Sequence, residues 1–144
     1  MTLFTIGFTH RSAEAFFSAL INAKVKRLID VRLNNTSQLA GFAKRGDLPY
    51  FLRTIAAIEY RHFPQWAPTK EILDGYKRRE LRWDEYERRF IELLRQRRIE
   101  ADADRALLDG ACLLCSEPKP DRCHRRLVVE YLREHSSGLE ICHL

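Results

Sequence analysis

Apolar residues fall along this chain in two rhythms. Leu3 to Ile6, Arg27-Leu28-Ile29-Asp30-Val31 and Ala111 to Leu114 are short, largely apolar runs, which predict buried strands. Ile58-Glu59-Tyr60-Arg61-His62-Phe63 alternates and predicts another strand, and Leu139 to Cys142 a fifth. Between them the spacing changes to three and four. Ala15, Phe16, Ala19 and Leu20 share one helix face, as do Leu48, Phe51, Leu52 and Ile55 within 47–58. Trp83, Tyr86, Phe90 and Leu94 mark a longer helix ending near Arg98, and 122–134 predicts the last one. Ser12 and Thr69 stand where N-caps belong. Glu100 to Asp109 is a polar connector with helical turns. Strands separated by helices pair in parallel, because each crossover must return along the sheet. The expected architecture is a single three-layer α/β domain over residues 1–144, with a mainly parallel sheet and helices on both faces.

Composition narrows the class. A length of 144 residues suits one domain, and 45% hydrophobic with 31% charged residues suits a globular one. No apolar stretch approaches the roughly 20 residues of a membrane span, so no membrane partner is expected. The start carries no basic leader with an apolar run, which points to the cytoplasm and to four reduced thiols. The net charge is +5, and residues 77–98 hold nine Lys/Arg against five Asp/Glu. A basic excess admits nucleic acid as a partner. The signs there are interleaved, however, as on a solvated helix laced by ion pairs.

Candidate chemistry gathers late in the chain. Cys115-Ser116-Glu117 ends the fourth strand, a loop with two prolines follows, and Cys123-His124-Arg125 opens the last helix. Strand ends facing helix starts are where α/β proteins place ligands. Asp30 and Arg32 stand at the end of the second strand, with Ser37 in the polar cluster beyond it. Arg32 and Arg125 are the expected anchors of a small anionic ligand or nucleotide. Glu117 and His124 are the candidate proton handlers, and Cys115 or Cys123 the nucleophile. Alternatively, Asp30 and Arg32 form an internal ion pair, and the thiols are small buried hydrophobes. Cys123, near a helix N-terminus beside His124 and Arg122, is the thiol expected to ionise easily. Cys112 and Cys142 are expected to be buried. No metal and no cofactor is expected, because Cys112 and Cys115, three apart in a strand, point to opposite sides. Gly7 to Ser12 has one glycine and reads as an ordinary strand–helix turn.

Thr5-Ile6-Gly7, Asp30-Val31-Arg32, Leu114-Cys115-Ser116-Glu117 and Cys123-His124-Arg125, in that order, resemble the bacterial and archaeal family catalogued as domain of unknown function 488. The resemblance runs to His143-Leu144. It implies a compact α/β fold with a shared polar site, and no reaction. Many members carry Gly-His-Ser in the first loop, where this chain has Gly7-Phe8-Thr9, with His10 nearby. Asp-Val-Arg with a late cysteine also resembles rhodanese-like sulfurtransferases, which wrap one thiol in a tight loop closed by arginine. Three functions stay open: an enzyme acting on a small anionic ligand, a non-catalytic nucleotide- or nucleic-acid-binding module, and a sulfurtransferase.

Overall fold

The structure is a computed structural model and describes residues 1–36 and 40–144; the expected ligand residue Ser37 lies outside them. Five strands form one sheet: β1 (Thr2–Gly7), β2 (Arg27–Asp30), β3 (Glu59–His62), β4 (Ala111–Cys115) and β5 (Glu140–His143). Their order is β3-β2-β4-β1-β5, and every pairing is parallel. The α-helices among the described residues are α1 (Ala13–Asn22), α2 (Leu48–Phe51), α3 (Lys70–Lys77), α4 (Trp83–Arg97), α5 (Arg105–Leu108) and α6 (His124–His135). None is long and apolar enough to cross a membrane.

The two-residue period of the strands builds two cores. Ile29, Leu113 and Cys115 face the side packed with Tyr86, Phe90, Leu94 and Leu127 of α4 and α6. Leu28, Ile6, Cys112 and Leu114 face the side packed with Phe16, Phe17 and Leu20 of α1 and Leu48 of α2. β4 is central and buried along its whole length, as its unbroken apolar run requires. Ser12 Oγ accepts from the Ala15 N–H and Thr69 Oγ1 from the Ile72 N–H, so both expected caps form.

Three expectations are corrected. The apolar face of α1 is Phe16, Phe17 and Leu20, while Ala15 is exposed. The helix expected over 47–58 is only α2, continued by a π-helical turn at Leu52–Ala56 and closed by Ala57 at φ 53°. The wider turn rotates Ile55 away from Leu48 and Leu52, leaving it 51% exposed. Cys142 is exposed, because β5 is an edge strand.

The topology locates a crevice. After β1 the chain runs to β2 by α1, on one face. After β4 it runs to β5 by α6, on the other. The neighbouring C-terminal ends of β1 and β4 therefore send their chains apart, and such a divergence opens a ligand crevice in α/β sheets.

Candidate functional site

Gly7 and Cys115 lie side by side at that divergence. The loop after β4 folds back over Gly7 so closely that a Cβ there would come within 1.7 Å of the Glu117 carbonyl oxygen. The Thr9 N–H donates to the Ser116 carbonyl at 3.1 Å and fixes the two loops together. The loop then delivers Cys123 as the residue before α6, with His124 as the first residue of the helix. The ligand atoms of Cys115, Cys123 and His124 come within 4.8 Å of one another, and all three residues are buried. Cys112 points into the opposite core, as its spacing from Cys115 predicts.

His124 Nε2 donates to the Val31 carbonyl at 2.6 Å, which leaves Nδ1 as the nitrogen that can offer a lone pair. Phe90 meets the ring edge to face. Cys115 Sγ lies 3.6 Å from Nδ1 and 3.8 Å from Nε2, against the ring rather than in line with one nitrogen. Below the thiols, Arg125 has no exposed surface. Its Nε donates to Thr5 Oγ1 at 3.4 Å, and Nη1 to the Glu117 carbonyl at 2.5 Å and to Cys123 Sγ at 3.6 Å. Its Nη2 has no partner among the described residues. No carboxylate of those residues forms an ion pair with it.

A buried cation without a carboxylate calls for another counter-charge, and the thiols are the ionisable groups beside it. The Cys123 S–H donating to Cys115 lowers the Cys115 pKa against the opposing effect of burial, and Arg125 and the Ser116 and Glu117 N–H groups lower it further. Burial pushes Cys123 well up, and the neighbouring Cys115 adds to that. The Cys115 thiol is therefore lowered, and the Cys123 thiol raised, from the ordinary value. Cys123, expected to ionise easily at the helix start, is raised instead, because burial and the neighbouring Cys115 both oppose its charge. Burial also pushes Cys112 up.

Asp30 and Arg32 form a separate cluster. Arg32 grips the carboxylate in two-pronged fashion, Nε to Oδ1 and Nη2 to Oδ2 both at 2.8 Å, and Nη2 also donates to the Ala43 carbonyl at 2.7 Å. The Tyr60 hydroxyl donates to the same carboxylate at 2.6 Å, and Asn35 Nδ2 at 3.4 Å. Burial and then Asp30 push the Tyr60 pKa up. Phe8 lies beneath the Arg32 guanidinium, 5.2 Å from it. Both expected anion anchors are thus engaged inside the protein: Arg32 by Asp30, and Arg125 by a carbonyl, a hydroxyl and a thiol.

An open cavity of about 1240 Å³ lies over the site. Cys115, Cys123 and His124 line it, and Arg32 borders it. The exposed cations Lys77, Arg79, Arg82 and Arg122 also line it, with Tyr76 and Trp83 as an aromatic wall. Glu117 is exposed among them. The basic run after α3 was legible in sequence only as a solvated helix. Its place over the cavity follows from the tight packing of α3 and α4, where Tyr76 meets Trp83 and Tyr86 at 5.6 and 5.0 Å.

A family model described as "Domain of unknown function DUF488" matches residues 12–132. No curated protein and no solved structure matches the chain.

Proposed function

The chain belongs to the DUF488 family, whose description names no reaction, and from that premise we propose that it is an enzyme acting on a small anionic ligand in the cavity at the ends of β1 and β4. The carrying observation is Arg125, a fully buried guanidinium without a carboxylate, set beside a thiol pair that opens onto a cation-lined cavity. The arrangement favours a standing thiolate at Cys115. The exposed Lys77, Arg79, Arg82 and Arg122 take the anchoring role first given to Arg32 and Arg125. Cys115 Sγ gives its electron pair to an electrophilic atom of the ligand. The bond from that atom to its leaving group breaks, and Glu117, exposed in the cavity, relays a proton from water to the group that departs.

The test uses metal-free protein. Inorganic phosphate, small carboxylates and nucleotides are titrated by calorimetry, and iodoacetamide labelling near neutral pH is read by peptide mass spectrometry. At least one anion binds, Arg122→Ala weakens it by roughly tenfold or more, and the bound anion slows labelling of Cys115. Cys115 labels faster than Cys112 and Cys123. No binding across the panel, together with Cys115 as slow as Cys112, would sink the reading. Binding only of long polyanions, with a steep dependence on salt, would favour the nucleic-acid module instead.

A further inference from the structure

We propose that Cys115, Cys123 and His124 hold a thiophilic divalent cation, zinc first, whose fourth position faces the cavity and takes the anionic group of the ligand. The inference rests on the reading that a small anion enters this cavity, and adds an anchor to the exposed cations that line it.

Two sulfurs and one imidazole nitrogen are a ligand set for zinc, and three protein ligands with one open position are the mark of a catalytic rather than a structural centre. Their atoms already converge within 4.8 Å. Bonds of about 2.3 Å to sulfur and about 2.1 Å to nitrogen set a tetrahedral edge of about 3.6 Å. Cys115 Sγ and His124 Nδ1 are 3.6 Å apart. The hydrogen bond from Nε2 to the Val31 carbonyl leaves Nδ1 as the ligating nitrogen. A carbonyl or carboxylate on the far nitrogen is the usual support of a metal-bound histidine. Coordination asks the ring to reorient so that the Nδ1 lone pair turns towards the sulfurs. Arg125 supplies the matching hydrogen bond to sulfur, through Nη1 to Cys123 Sγ.

Charge decides what fills the open position. Two thiolates neutralise a divalent cation, and Arg125 beside them then leaves one positive charge without a partner. A bound phosphate or carboxylate oxygen supplies the missing negative charge, and the cavity is where it would come from. Loading also changes the role of Cys115. In the metal-free protein it is a nucleophile; in the loaded protein it is a ligand, closed to electrophiles.

Cobalt(II) is the probe. One equivalent added to the full chain gives thiolate-to-cobalt charge-transfer absorption and the visible bands of a tetrahedral ion. Cys115→Ser, Cys123→Ser and His124→Ala lose these bands while keeping the circular dichroism of the parent. Cys142→Ser, which alters an exposed thiol, keeps the bands. The wild-type protein provides a second reading that needs no variant: zinc protects Cys115 and Cys123, but not Cys142, from iodoacetamide. Inorganic phosphate then shifts the visible bands of the cobalt form. No charge-transfer band, or zinc without effect on labelling, overturns the centre. Cobalt bands untouched by phosphate overturn the anchor. Anion binding to the metal-free protein is measured separately, so loss of the metal leaves the proposed function standing, and loss of anion binding in both forms removes it.

Discussion

Arg32 and Arg125 are both buried arginines, and the way each is neutralised separates a structural residue from a functional one. Arg32 has its carboxylate two residues away, at 2.8 Å on both prongs. Removing that partner leaves an uncompensated buried cation. Asp30→Asn is therefore expected to cost about 3–5 kcal/mol of stability in urea titrations. The same loss is not expected when both partners change together, as in Asp30→Leu with Arg32→Met, because an apolar pair strands no charge. The sequence showed that Asp30 and Arg32 share a strand end, and an internal ion pair was one of its two readings. It could not show that the pair closes on itself, since that depends on Ala43, Tyr60 and Asn35 arriving from other segments. The ranking of Cys115 and Cys123 was illegible for a similar reason. Helix position argues for a lowered Cys123, but burial and the neighbouring Cys115 raise it.

Among the elements, the β4–α6 connection carries the site, and its geometry depends on Gly7 in a different strand. A methyl group at Gly7 would meet the Glu117 carbonyl at 1.7 Å, and that carbonyl is backbone. Gly7→Ala is expected to cost about 1–3 kcal/mol by forced repacking. It should also pull the Ser116 and Glu117 N–H groups away from Cys115, whose pKa they lower, so that Cys115 labelling by iodoacetamide slows. Unchanged stability and unchanged labelling would show that the loop yields freely. The strands and the caps at Ser12 and Thr69 were readable because period and cap chemistry are local. The π-helical turn at Leu52–Ala56 was not, because Leu48, Phe51, Leu52 and Ile55 fit an ordinary helix equally well. The glycine turn was read as ordinary. What sets Gly7 apart is a contact with a residue more than a hundred positions away.

For the whole molecule, the alternation of strands and helices made a parallel sheet legible, whereas the order β3-β2-β4-β1-β5 was not, because rhythm does not say which strands are neighbours. That order places β5 beside β1 and brings His143 to Thr5. The Thr5 hydroxyl, which accepts from Arg125, shares a hydrogen bond of 2.6 Å with His143 Nδ1. Burial and then Arg125 hold the His143 pKa below the ordinary imidazole value. The folded ring thus stays neutral while the unfolded chain takes up a proton. This contribution to stability is present above about pH 6.5, and is lost as pH falls from there through the folded value. His143→Gln should flatten the fall in urea midpoint between about pH 7.5 and pH 5.5; an equal fall in the variant would assign it to other groups. The same sheet edge exposes Cys142 beside an unpaired strand backbone. Two molecules meeting edge to edge can become covalently joined there when oxygen is admitted. Stored without reductant, the protein should accumulate a dimer on non-reducing gels that disappears with dithiothreitol and never forms in Cys142→Ser. Ageing of a preparation would then show in its size.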